Sequence, residues 1–247
     1  NKYKSILSAD QWIICDGPVH QSSRKQLVMG VRGDTHLELT VFGPKRPLHS
    51  GHYGNWVLNP AMELARLLAS MKNEKGEITI KGFYDDVTPL IPTEKEALSK
   101  IPSVEAQLKN ELGINATERA GALNDALQLP SLNVNGFQSA GVGKYSANVI
   151  PTKAIASIDL RLVKGNDWKR QQDKVINHIK AQGFFVTDKE PTDDQRKQNE
   201  KICMVVASDG YNAQKTSMDN IYVKRIAKAI QSATNESPVM LPTLGGS

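Results

Sequence analysis

Thr35-His36-Leu37-Glu38-Leu39-Thr40-Val41-Phe42-Gly43 is the stretch whose reading decides the fold. Leu37, Leu39 and Val41 point one way, and His36, Glu38 and Thr40 point the other. A period of two sustained over this length predicts a half-buried β-strand. Residues 154–162 repeat the pattern, with Ala156, Ile158, Leu160 and Leu162 on one face. Two one-faced strands need a second layer to cover them, and two helical patterns supply it. In residues 59–72, Leu64, Leu67, Leu68 and Met71 recur at i, i+3, i+4 and i+7. Asn59 is a good N-cap, and Pro60 suits the first helical position, where an N–H has no partner to lose. In residues 167–182, Trp168, Val175, Ile176 and Ile179 form an apolar stripe, and Gly183 marks the stop. Shorter candidate strands at 132–137 and 184–187 complete the order βαββαβ. This is the ferredoxin-like arrangement, an antiparallel sheet with two helices on one face.

Outward from this unit the chain is less regular. Residues 73–131 read as an insertion packed on the main scaffold, with a candidate strand at 78–84 and short helices at 93–100 and 103–112. Trp12-Ile13-Ile14-Cys15 reads as a short buried strand that ends at the turn Asp16-Gly17-Pro18. Residues 26–31 form another strand. The polar run 188–200 reads as a boundary, followed by a strand at 202–207, an amphipathic helix at 220–233 and a strand at 239–241. The fold class is therefore α/β with an α+β insert. A ferredoxin-like unit, 34–188, interrupts an incomplete α/β domain represented by 1–33 and 189–247.

Composition narrows the function classes. Among the 247 residues, 31 Lys and Arg oppose 26 Asp and Glu, a net charge of +5. The basic residues are scattered and aromatics make up 6%, which argues against a nucleic-acid surface, where cations and aromatics share one face. A mildly basic cleft for carboxylate-bearing substrates stays open. No run of about 18 apolar residues exists, so no transmembrane helix is predicted. Asn1-Lys2-Tyr3-Lys4 is not followed by an apolar core, so no signal peptide is read. A cytoplasmic protein is favoured; a periplasmic or secreted one stays open if a leader was removed. Cys15 and Cys203 both sit in apolar runs and read as buried free thiols.

Three segments carry candidate chemistry. Asp16, at the end of the predicted strand, is placed as a metal-binding carboxylate or, more ordinarily, as a turn cap. Pro47-Leu48-His49-Ser50-Gly51-His52-Tyr53-Gly54 sets two imidazoles in a Gly-rich loop. That is a metal-ligand pattern or a surface loop with incidental histidines. Arg161 lies on the polar side of its strand, free to fork onto a carboxylate or to pair with Asp159.

Taken together, six strings in order resemble one family. They are Gly30-Val31-Arg32-Gly33, Leu48-His49-Ser50-Gly51-His52-Tyr53-Gly54, Asn59-Pro60-Ala61, Gly82-Phe83-Tyr84-Asp85-Asp86-Val87, Asn148-Val149-Ile150-Pro151 and Arg161-Leu162-Val163, with Leu244-Gly245-Gly246-Ser247 closing the chain. The family is that of the two-zinc metallopeptidases: aminoacylase, carboxypeptidase G, carnosine and Cys-Gly dipeptidases, and succinyl-diaminopimelate desuccinylase. Unit 34–188 then corresponds to the lid, or dimerisation, domain.

The resemblance implies roles for individual residues. Asp16 matches a zinc ligand. His49 matches the lid histidine that reaches the partner subunit's active site and steadies the developing oxyanion. Asn148 matches a substrate-contacting position. Arg161 matches the arginine that binds the substrate's free carboxylate, and Ser247 a further contact to it. Gly54-Asn55 departs from the family's more usual Gly-Gly. Two zinc ions per active site are implied. Yet no His here is followed two residues later by Asp, and no two glutamates are adjacent. A fragment is therefore expected: the lid portion of a zinc-dependent hydrolase of dipeptides or N-acyl amino acids, homodimeric through the lid and inactive alone. A non-catalytic dimerisation or small-molecule-binding module is the alternative.

Overall fold

Strand Gly33–Phe42 lies at the centre of a five-stranded sheet. The computed structural model describes residues 3–245. Lys153–Leu162 pairs antiparallel with the central strand on one side, in register from Gly33↔Leu162 to Phe42↔Lys153. Ser131–Gln138 pairs antiparallel beyond it, with a register shift between Val134 and Gly136. On the other side comes Ile202–Ala207, antiparallel from Leu37↔Ala207 to Val41↔Cys203. Phe185–Thr187 is outermost and runs parallel to Ile202–Ala207.

Alternation in the two long strands does what the sequence predicts. Leu37, Leu39, Val41, Ala154, Ala156, Ile158 and Leu160 are all but inaccessible. They form one core with Leu64, Leu67 and Met71 from the first helix region and Val175 and Ile179 from the second. Helix Pro60–Ala69 begins at Asn59, whose side chain accepts from Ala61 N–H. Helix Trp168–Ala181 begins at Asp167, whose carboxylate accepts from Arg170 N–H. Gly183 follows at φ 85°, a left-handed conformation that glycine adopts without steric cost.

Several expectations are corrected. Residues 202–207, expected in the flanking domain, are hydrogen-bonded into the central sheet. The charged run before them is a crossover carrying helix Asp193–Gln198, capped reciprocally by Thr192 and Gln195, and it returns the chain parallel to Phe185–Thr187. Solvation, not a domain boundary, explains its polarity. Residues 78–84 are turns rather than a strand, tied by Thr79 N–H to Met71 O and Phe83 N–H to Ile80 O. Residues 12–15 form no strand; Trp12, Ile13 and Ile14 are more than half exposed, and Cys15 is exposed as well. An apolar run becomes a strand only where a neighbour accepts its backbone hydrogen bonds, and none of the described residues does so here.

The chain divides into two compact units. The sheet unit spans Val31–Pro89 and Ala116–Gln214. The second unit gathers residues up to Gly30, Leu90–Asn115 and Lys215–Leu244. Residues 90–115, expected to pack on the main scaffold, thus belong with the flanks. Within the second unit Gln26–Val28 pairs parallel with Val239–Leu241. Helix Ile221–Thr234, capped by Asn220, contributes Val223 to a small core with Met29 and Met218. Glu94, 2% exposed, is neutralised by Lys215 at 2.8 Å.

Candidate functional site

His49 stands in a two-residue ladder. Leu48–His49 pairs antiparallel with Val149–Ile150, in register Leu48↔Ile150 and His49↔Val149. Ser50 N–H donates to the Asn148 carbonyl at 3.1 Å. The loop and the segment before strand Lys153–Leu162 are thereby joined, and His49 and Asn148 become neighbours, both exposed. His49 caps the short helix Ser50–Tyr53, its Nδ1 accepting from Gly51 N–H at 3.0 Å. The His52 ring lies 4.8 Å from the His49 ring, centroid to centroid.

Arg161 stands on the sheet face opposite the helices. Its Nε lies 3.0 Å from Asp159 Oδ2 and 3.6 Å from Asp34 Oδ1. Asp34 is its cross-strand partner, and Ser131 is its partner on the other side. Nε donates its one hydrogen to Asp159, Asp34 Oδ1 stays beyond hydrogen-bond reach, and among the described residues neither terminal guanidinium nitrogen donates a hydrogen bond. The outer fork is therefore available to a planar anion. Pairing with Asp159, left open in the sequence, is observed together with this free fork.

Arg32, within the string Gly30-Val31-Arg32-Gly33, belongs to this face. It is 7% exposed, and its guanidinium donates to Leu129 O at 2.7 Å and to Ser131 Oγ at 3.0 Å. Burial first, and then the nearby positive charge of Arg161, hold its pKa down to about 10; Asp159 acts in the opposite direction. Gly33 beside it has a packing reason. A Cβ there would lie 2.4 Å from Tyr211 O, where Asp34 and Tyr211 exchange backbone hydrogen bonds. The period-two pattern put Arg32, Asp34 and His36 on one side of the strand, which was the available signal for this cluster.

Asp16 is exposed in irregular backbone, and no group of three or more His, Cys, Asp or Glu able to hold a metal occurs among the described residues. The described residues therefore do not by themselves form a zinc site. Ser247 lies outside the described residues. No described helix is long and apolar enough to cross a membrane.

Comparison with known proteins bears on the family and the fold. The chain is 27% identical to the Cys-Gly metallodipeptidase of Candida albicans, over 74% of its own length and 38% of that protein's. It is 26% identical to the mouse Beta-Ala-His dipeptidase, over 70% of its length and 36% of the relative's. The chain thus spans well under half of these relatives. Its fold matches the crystal structure of an M20 family metallo-carboxypeptidase from Sulfolobus solfataricus with a TM-score of 0.80 at 26% identity, covering 98% of this chain and 52% of that one. The model of the peptidase dimerisation domain matches residues 30–184, more than half of the sequence, and the chain belongs to that family.

Proposed function

We propose that this chain is the lid portion of a zinc-dependent hydrolase of dipeptides or N-acyl amino acids, and that it works as a homodimer. The dipeptidase relatives support the substrate class. In this reading the zinc ions are held elsewhere in the working enzyme, Asp16 at most adding one carboxylate. The lid supplies His49 and Asn148 to one part of the substrate and Arg161 to its free carboxylate, with Ser247 as a further carboxylate contact.

One observation carries the dimer. His49 and Asn148 sit at the Lys153 end of strand Lys153–Leu162, and Arg161 sits at the other end. Eight residues of strand at about 3.3 Å each separate them by roughly 26 Å. A dipeptide cannot bridge that span, so the two groups serve one substrate only if they come from different copies. The exposed edge strand Ser131–Gln138 offers the contact, with Val134 and Phe137 more than two-fifths exposed. Antiparallel pairing of this edge with itself about a two-fold axis reverses the strand direction. It brings the His49 end of one copy beside the Arg161 end of the other.

Complementation tests this directly. The His49→Ala and Arg161→Ala forms of the working enzyme are each expected to be nearly inactive. Their mixture is expected to recover about a quarter of wild-type activity, since half the dimers are mixed and each mixed dimer has one intact site. No recovery in a mixture shown to exchange subunits would sink the shared site.

A further inference from the structure

We infer that Gly51 is a positioning residue for His49: its amide sets the ring's tautomer, and its lack of a side chain leaves the ring room to hold it. This role rests on the reading of His49 as a donor to the substrate carbonyl oxygen.

Gly51 N–H donates to His49 Nδ1 at 3.0 Å. A ring nitrogen that accepts a hydrogen bond carries no proton, and a neutral imidazole has only one. The proton is therefore on Nε2, the atom farther from the backbone. An oxyanion needs that N–H rather than a lone pair, so the capping bond selects the useful tautomer before substrate arrives.

Any L residue at position 51 could offer the same amide, but only glycine leaves space for the ring. A Cβ there would lie 2.9 Å from His49 Cε1 and 3.1 Å from Nδ1. The His52 ring bounds the imidazole as well, at 4.8 Å. Gly54 N–H donates to Ser50 O at 2.8 Å and closes the turn that carries the amide. The ring sits in a slot defined by a bare α-carbon, a backbone N–H and a second imidazole.

The first measurement does not involve catalysis. Long-range ¹⁵N–¹H correlation spectra of the 247-residue chain, recorded above the ordinary imidazole range, are expected to show His49 as the Nε2–H tautomer. Its Nδ1 should resonate as a hydrogen-bonded acceptor, and the Gly51 amide should exchange slowly. His49→Asn, which keeps a capping acceptor, should preserve that protection, and His49→Ala should abolish it. Gly51→Ala should return His49 to the mixed tautomers of a free imidazole and leave His36 unchanged. A wild-type His49 already showing the free-imidazole mixture, or an unaltered His49 spectrum in Gly51→Ala, overturns the inference. In the working enzyme Gly51→Ala is expected to lower kcat on the order of 10- to 100-fold with KM little changed. If the spectra are as expected but His49→Ala keeps wild-type turnover, the positioning of the ring stands and the hydrolase role of His49 fails.

Discussion

Asp34 and Arg161 are cross-strand partners, and Asp34 Oδ1 lies 3.6 Å from Arg161 Nε, on the same nitrogen that Asp159 engages at 3.0 Å. With the Arg161 side chain 35% exposed, such pairs contribute at most about 1 kcal/mol to stability. Their consequence is orientation. Nε donates to Asp159 with the Asp34 charge beside it, and neither terminal nitrogen donates to a described residue, so both are open to a substrate carboxylate.

Arg161→Lys should therefore behave as a loss of function in the working enzyme. An ammonium keeps the charge but lacks the planar fork. We expect KM for a substrate with a free carboxylate to rise by about 10- to 100-fold, the scale of a charge-assisted hydrogen bond. An amidated substrate should barely distinguish the two enzymes. Steady-state kinetics on the matched pair of substrates decides it; an equal loss on both would remove Arg161 from carboxylate recognition.

At the sheet edge, Val134→Lys and Phe137→Asp should shift the chain toward monomer. Each variant would bury an unpaired charge in an apolar strand pairing, which costs more than the pairing returns. Sedimentation velocity against the wild-type chain measures this. An unchanged dimer in both variants would exclude this edge as the contact.

The two thiols should differ sharply in reactivity. Cys203 is inaccessible, and burial pushes its pKa up to about 12. Near neutral pH it is an unreactive thiol, whereas exposed Cys15 should react promptly with a disulfide reagent. One thiol should titrate in the native chain and a second only on unfolding. Linkage also applies. The folded state holds the Cys203 proton more tightly than the unfolded chain, whose thiol ionises near 9. This contribution is fully present below about 9 and is lost as pH rises toward about 12. Denaturation midpoints should fall across that window, and fall less for Cys203→Ala.

Leu160→Ala tests the core under Arg161. Leu160 is 0% exposed, between Asp159 and Arg161 on the opposite face. Truncation should cost about 2–5 kcal/mol by chemical denaturation. A loss under about 1 kcal/mol would mean that the core relaxes into the gap.

The long elements were legible because each carries its signal locally. Leu37, Leu39 and Val41 alternate, Leu64, Leu67 and Met71 repeat at helical spacing, and Asn59 caps its helix as the sequence predicts. Their buried sides then follow from periodicity alone. Residues 202–207 and 12–15 show the limit. Both are short apolar runs; one is hydrogen-bonded along Leu37–Val41, and the other lies exposed without a strand partner.

The sequence by itself determined the two long strands, the two long helices and the family strings, and it named His49, Asn148 and Arg161 as candidates. Tertiary structure alone decided that His49 and Asn148 adjoin, that Arg161 lies at the far end of the strand, and that Arg32 and Asp34 share its face. Periodicity assigns a residue to a face of its own element. Which faces and ends meet is set by strand register and chain reversal, between residues far apart in sequence.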